Sequence, residues 1–342
     1  MSDPSGPVFV VGPSRSGTTL MSRVVSRSGR FRALSEVHFF ERLWTPSQGN
    51  GVMAVDAATT LAARLIHTQH KGLFYKQGTT HDHDGEAREV VAAVGEHRTP
   101  LAIYGEFLGA QARRQGGESG CDQTPRNVFF LKEILAEFPQ ARVIVMIRDP
   151  RAVMLSQKNK WRRRSLGESA LPRREVVRSW SNYHPLVTAR LWKGAVEAGE
   201  RAAQGDSRVL IVRFEDLLSD SEATVRRVAQ HCDVEYVDAM LDVPQVSSSL
   251  ASDDHTERGL RTEMADAWRA HGGLSTTEIK LCEKVAGEAM QRHAYDRDDA
   301  SVNPAVLSGW YAMLPVKLSV AAAMNAKQIG NPIVAVRRRL GS

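Results

Sequence analysis

The sequence predicts an α/β fold, a parallel sheet flanked by helices, and three observations predict it. Apolar runs at Val8–Val11, Val143–Ile147 and Val209–Phe214 are short and nearly continuous rather than alternating, the mark of strands buried on both faces. Segments of helical period separate them, as in a sheet with helical crossovers. The first run also ends in a glycine-bearing loop that opens directly into a helix.

Taken in order, Val8–Val11 begins after Pro7 and stops at Gly12. Leu20, Met21, Val24 and Val25 follow Gly17 at helical spacing, so the first unit is strand, loop, helix. Residues 52–68 and 86–115 read as helices without assignable chemistry. Val128–Phe138 reads as an amphipathic helix rich in Leu, Ile and Phe, leading into the strand Val143–Ile147. Ligands in such sheets bind at the carboxyl ends of the strands, where Gly12, Arg148 and Phe214 fall. Residues 1–300 are expected to form the main domain. Residues 301–342 are expected to be a tail, apolar from Pro304 and ending in Arg337-Arg338-Arg339.

Composition sets the class of partner. The 342 residues are 42% hydrophobic and 25% charged, with 45 basic against 39 acidic side chains and a net charge of +6. That mild excess suits an anionic ligand and falls short of a nucleic-acid binder. Cys121, Cys232 and Cys282 are odd in number, far apart and in no metal spacing, so they read as reduced thiols. The opening MSDPSGPVFVVG has neither the basic nor the apolar region of a secretory signal. No apolar run reaches the roughly 18 residues of a membrane span, so a cytoplasmic enzyme is the expectation.

The loop Gly12-Pro13-Ser14-Arg15-Ser16-Gly17-Thr18-Thr19 has the means to hold a doubly charged oxyanion. Backbone amides and the positive end of the following helix converge there, the glycines permit the turn, and the Thr hydroxyls and Arg15 add donors. The two glycines and Thr19 match the nucleotide-kinase pattern G-x-x-x-x-G-K-[ST], but Thr18 stands where its lysine belongs. The cation has moved into the loop, at Arg15. The sheet is therefore P-loop-like without the phosphate contact of an ATPase.

A second anion site is readable in Arg148-Asp149-Pro150-Arg151 with Ser156 eight residues after Arg148. An arginine at a strand end and a serine two helical turns on can reach one phosphate, and the guanidinium can grip it bidentately. Arg148 could instead cap the sheet on a carboxylate.

Together and in this order, the two motifs resemble those of the sulfotransferases that use 3′-phosphoadenosine-5′-phosphosulfate (PAPS). Their first loop runs roughly P-[KR]-[ST]-G-[ST]-[TS]; here Ser14 takes the usual proline position, after Pro13. The resemblance runs from residue 8 to about residue 295, poorly matched between 42 and 120. It implies the sulfotransferase fold and transfer of a sulfuryl group from PAPS to an acceptor hydroxyl or amine, leaving PAP. Pro13, Ser14, Arg15, Ser16, Gly17, Thr18 and Thr19 would bind the 5′-phosphosulfate, and Arg148 and Ser156 the 3′-phosphate. Phe214, in Phe214-Glu215-Asp216-Leu217, takes the place of a family tyrosine near the adenine. Trp268-Arg269 and Tyr295 resemble further family segments. Arg258, beside Gly259, falls loosely at another 3′-phosphate contact, with a solvated side chain as the alternative. No metal is implied, since arginines and amides supply the positive field.

Attack on sulfur needs a base for the acceptor proton. Cytosolic sulfotransferases use a histidine. The tyrosylprotein branch uses a glutamate 21 residues after the loop arginine, and Glu36 lies 21 residues after Arg15. Glu36 is the expected base and His38 the runner-up, with a helix cap and a structural histidine as the plainer alternatives. Desolvation when the acceptor binds is expected to raise the Glu36 pKa toward working pH. A lysine common among relatives is replaced by Gln123, so either Arg126 or Arg15 is expected to supply its charge or turnover is expected to be slow.

The acceptor pocket is expected in the variable loops within 40–120 and 157–190, which do not identify the acceptor; a small molecule, glycan or lipid is the expectation. The basic stretch 158–178, with Lys158, Lys160, Arg162, Arg163, Arg164, Arg173, Arg174 and Arg178, would lie at its entrance or form a solvated face. The basic tail implies a capacity for membrane association. The rival readings are a nucleotide or small-molecule kinase of the same topology and a non-catalytic nucleotide- or anionic-lipid-binding module.

Overall fold

The structure, a computed structural model, describes residues 6–45, 51–72, 80–160, 173–244, 267–269, 273–298 and 301–325. β1 (Val8–Val11) leads through the glycine loop into α1 (Thr18–Ser26), then β2 (Phe31–Ala33) and the short α2 (Phe39–Arg42). Three helices follow: α3 (Val55–Lys71), α4 (Asp84–Val94) and α5 (Pro100–Arg114). β3 (Ser119–Asp122) and α6 (Leu131–Glu137) precede β4 (Arg142–Ile147), α7 (Pro150–Lys158), α8 (Arg173–Ser181) and α9 (Pro185–Gly205). β5 (Val209–Arg213), α10 (Phe214–Ser219), α11 (Ser221–His231), α12 (Thr276–Arg292) and α13 (Pro304–Asn325) complete the order.

All five strands are parallel, in the order β2-β3-β1-β4-β5. The chain leaves β1 to fill one edge with β2 and β3, then returns to the other side of β1 with β4 and β5. The loops after β1 and β4 therefore stand side by side at the carboxyl edge, at the switch in strand order. Alternation along each strand supplies two cores. Phe9, Val11, Val143, Val145 and Ile147 face the layer that includes α3, α5 and α9, while Val8, Val10, Ile144 and Met146 face α1, α10 and α11.

Local chemistry explains where the elements differ from the sequence reading. The span 86–115 is two helices, because Gly95 ends α4 at φ 66° and Thr99 caps α5 with Pro100 in its first turn. Of 128–138, the start is a 3₁₀ turn over Pro125–Phe130 and only Leu131–Glu137 is α-helical. β2 and β3 carry no apolar run. Gly120 in β3 is needed because a Cβ would lie 2.7 Å from the Leu108 carbonyl of α5.

The tail corrects an expectation. Residues Pro304–Met324 have a mean hydropathy of 1.3 and are long and apolar enough to cross a membrane, and only 6% of that stretch is buried. Ser, Gly, Pro and Lys interrupt the run, so no unbroken apolar string is visible, yet the helix is apolar on average.

Candidate active site

The loop after β1 is closed by tertiary contacts. The Gly12 amide donates to the Pro125 carbonyl at 3.0 Å, and Ser16 N donates to the Pro13 carbonyl at 3.2 Å. Gly12 sits at φ 133°, where a Cβ would lie 2.2 Å from the Met146 carbonyl. Gly17, the N-terminal cap of α1 at φ 91°, leaves no room for a Cβ, which would lie 2.5 Å from the Phe214 ring. Without a capping side chain, the first amides of α1 remain available to an anion. The Ser16 hydroxyl is fully buried with no hydrogen-bond partner. A cradle that a Cβ would fill, lined by backbone donors and an unsatisfied hydroxyl, fits an oxyanion.

The second anion motif comes to the same place. Arg148 leaves the end of β4, Ser156 lies on α7, and both are buried. Arg15 Nε donates to Ser156 Oγ at 2.9 Å, so the two motifs touch. The Arg148 guanidinium lies 4.4 Å from the centroid of Phe214, whose ring also closes on Gly17, so the one ring braces both motifs. Trp192 Nε1 donates to the Arg148 carbonyl at 2.9 Å. Burial pulls the Arg148 guanidinium below its usual pKa, against Glu215, Asp149 and Tyr295. The two nearby carboxylates have other partners. Glu215 accepts from Asp149 N at 3.0 Å and Tyr295 Oη at 2.7 Å, and Asp149 is held by Arg151 at 2.7 Å. Arg151 also reaches Glu283 at 3.2 Å and stacks on Trp268 at 4.1 Å. The family-like Trp268 and Tyr295 segments thus buttress the end of β4.

Glu36 and His38 lie in the segment between β2 and α2. Leu34 N donates to the Cys121 carbonyl at 2.9 Å, and Gln123 Nε2 donates to the Leu34 carbonyl at 3.1 Å. Ser35 is tied to Gln69 of α3 through its amide, at 2.8 Å, and its hydroxyl, at 3.1 Å. At the next residue a chain of charges begins: Glu36 Oε2 to His38 Nε2 at 3.3 Å, His38 Nδ1 to Glu41 Oε2 at 3.1 Å, and Glu41 Oε1 to Arg126 at 2.9 Å. Burial raises the Glu36 pKa, but the hydrogen bond and charge of His38, with Lys160 and Arg15, outweigh it and hold the carboxyl below its ordinary value. With cations this close, the free protein keeps Glu36 ionised, and the upward shift expected on acceptor binding would start from this lowered value. Burial lowers His38, but Glu36 and Glu41 outweigh it and raise its pKa.

Arg15 and His38 have φ of 76° and 50°, left-handed conformations that cost a residue with a side chain about 1–2 kcal/mol. That both motifs contain one fits the tendency of backbone strain to collect at functional sites.

Other expectations change in detail. Glu36 precedes α2, whose cap position is held by His38 without a side-chain bond, so Glu36 caps no helix there. Arg126 donates to Glu41 and Gln123 donates to the Leu34 carbonyl, while Arg15 lies in the anion loop itself. Lys160 lies close enough to act on Glu36 electrostatically, while Lys158 is bound to Glu278 at 2.8 Å. Arg258, Gly259 and Arg162–Arg164 lie outside the described residues. Among the described residues, no group of three or more His, Cys, Asp or Glu is placed to hold a metal. Sequence reasoning missed Glu41 and the Glu215–Tyr295 clamp. A signal existed for the first, since Glu41 is one helical turn after His38.

The structure is thus an α/β protein whose parallel sheet brings the loop after β1 and the Arg148–Ser156 motif together at its carboxyl edge. A profile of the sulfotransferase family matches residues 7–238, and the chain belongs to that family. Its fold is similar to the sulfotransferase domain from the curacin biosynthetic pathway, at a TM-score of 0.52 and 14% identity over 87% of this chain and 100% of that one. The sulfotransferase domain from the Synechococcus PCC 7002 olefin synthase aligns at a TM-score of 0.46 and 19% identity, over 84% and 97%. The sulfotransferase from Alicyclobacillus acidocaldarius aligns at 0.44 and 15%, over 91% and 100%. No functionally curated protein matches the chain by sequence.

Proposed function

We propose that this sulfotransferase moves the sulfuryl group of PAPS to a hydroxyl or amine of a small-molecule, glycan or lipid acceptor, with Glu36 as general base. The acceptor oxygen or nitrogen bonds to sulfur while the bond from sulfur to the bridging phosphate oxygen breaks. Glu36 takes the acceptor proton, and PAP carries away the bridging oxygen. The loop amides and Arg15 stabilise negative charge on that oxygen, the preorganised electrostatics expected of oxyanion transfer. Arg148 and Ser156 hold the 3′-phosphate, and Phe214 packs near the adenine. The placing of the base follows the resemblance to the tyrosylprotein branch.

The observation that carries the choice of base is the occupancy of His38. Both of its ring nitrogens face carboxylates, which favours an imidazolium with no lone pair for a proton. Glu36 engages His38 through one oxygen and leaves 42% of its side chain accessible.

The reaction is tested by thermal shift with PAP and with ATP–magnesium, alongside transfer from radiolabelled PAPS to glycan, lipid and small-alcohol acceptors. PAP is expected to stabilise the protein by several degrees and ATP–magnesium much less, with label appearing in at least one acceptor class. Stabilisation by ATP–magnesium alone would favour a kinase. PAP binding without transfer to any acceptor would favour a binding module.

A further inference from the structure

Helix α13 has two apolar sides in different surroundings. Leu307, Trp310, Leu314, Lys317, Ala321 and Met324 repeat at three- and four-residue spacing and are half-buried. Trp310 and Lys317 on this seam tie the helix to the rest of the protein, and Lys284 of α12 donates to Tyr311 Oη beside it at 3.2 Å. His184 Nε2 hydrogen-bonds the Trp310 carbonyl at 3.0 Å, its ring meeting the indole edge-on at 5.4 Å, and Lys317 donates to the Trp180 carbonyl of α8 at 3.1 Å. The outer side repeats Val306, Met313, Val316 and Val320, which are 48%, 46%, 64% and 41% exposed. A helix facing water on that side would carry polar residues there. Val177 and Trp180, one turn apart on α8 and 51% and 54% exposed, add to the apolar surface beside Lys317. A patch of this kind on a soluble protein marks an interaction surface.

Charge identifies the partner. After Asp299 the sequence has no acidic residue, while Lys317, Lys327 and Arg337–Arg339 are all basic. A protein partner gives no reason for so one-sided a tail, but an anionic lipid surface attracts each of these cations. Trp180 and Tyr311, both exposed, are residue types that settle at the headgroup level.

We propose that the outer face of α13 seats the protein on a lipid bilayer, with the helix lying along the membrane rather than across it. Val306, Met313, Val316 and Val320 enter the acyl boundary while the inner seam stays on α8 and His184. The contacts of Trp310 and Lys317 with His184 and α8 hold the helix against the protein while its outer face is presented to the bilayer. Crossing the bilayer would strip Trp310 and Lys317 of the contacts they make here. The inference is independent of the transfer reaction.

The test is flotation of the full-length protein with phosphatidylcholine vesicles containing about 30% phosphatidylglycerol, against pure phosphatidylcholine. Wild type is expected to float, more strongly on the anionic vesicles. Val316→Glu with Val320→Glu should lose roughly tenfold or more of that binding, with thermal stability and PAP binding unchanged. If the charged pair harms folding, Val316→Gln with Val320→Gln gives the same reading in milder form. The proposal fails if wild type stays unbound, or if the double variant floats equally well. It also fails if wild type ignores vesicles but self-associates through a surface that the double variant disrupts, which would assign the outer face to a second copy. Equal binding to both vesicle types would overturn the role given to the basic tail.

Discussion

The anion loop and the base segment lie at one edge of the sheet, but they are held in different ways. The loop runs straight from a buried strand into a helix, and packing sets its shape: Pro125 and Met146 close on Gly12, and Phe214 closes on Gly17. The base segment has only the three-residue β2 before it and the four-residue α2 after it. Side chains from elsewhere fix its course: Gln123 on Leu34, Gln69 on Ser35, and Arg126 through Glu41 on His38. A packed loop resists change because a clash cannot be screened. A segment held by hydrogen bonds and partly exposed charges yields to pH, salt and single substitutions.

The largest expected effect breaks the base segment chemically while sparing the loop. Glu36→Gln keeps shape and hydrogen bonding but cannot take a proton. A fall in kcat on the order of 10²–10⁴ is expected, with PAP affinity nearly unchanged. His38→Ala should cost about tenfold, because it removes only the hydrogen bond that orients Glu36. The acid limb of kcat/KM sharpens the choice. With Glu36 as base, activity persists down to the carboxylate range and falls only below the ordinary value of 4.5, since the group's pKa is lowered. With His38 as base, activity would appear only as pH rises above 6.5, since that group's pKa is raised. An active Glu36→Gln enzyme with a crippled His38→Ala would reverse the assignment.

The next effect falls on the packed side. Arg148→Ala should weaken PAP binding by roughly 1.5–3 kcal/mol, the scale of a charge-assisted hydrogen bond, and weaken adenosine 5′-phosphosulfate much less. That nucleotide lacks the 3′-phosphate, so equal losses in a titration of both would remove Arg148 from that role.

The smallest effect reports the charges of the base segment through stability. The raised His38 pKa contributes stability that is complete below its unfolded value of 6.5 and is lost as pH rises through the folded one. The lowered Glu36 pKa contributes stability present above 4.5 and lost as pH falls through the folded value. The two overlap between pH 4.5 and 6.5. There wild type should exceed His38→Asn in Tm by about 1–3 °C, an exposed pair being partly screened. A difference that persists unchanged to pH 9, about 2.5 units above the ordinary histidine value, would mean that His38 acts by packing rather than by charge.

The sequence by itself determined the strand–loop–helix unit, the central strands and both anion motifs. These rest on local rules: a continuous apolar run is a buried strand, and Gly12 and Gly17 stand where the turn needs them. The 21-residue interval from Arg15 to Glu36 pointed to a base through resemblance, without saying what holds it. Tertiary structure decided what depends on neighbours distant in sequence. β3, Ser-Gly-Cys-Asp, is a strand because β1 and β2 flank it, not because its residues favour one. Arg15 and Ser156 are 141 residues apart and meet at 2.9 Å only because β1 and β4 are adjacent. The Glu36 pKa followed the same logic. Burial alone would raise it, and the opposing cations are Lys160 just beyond α7, Arg15 of the anion loop and His38, whose positions no local pattern encodes.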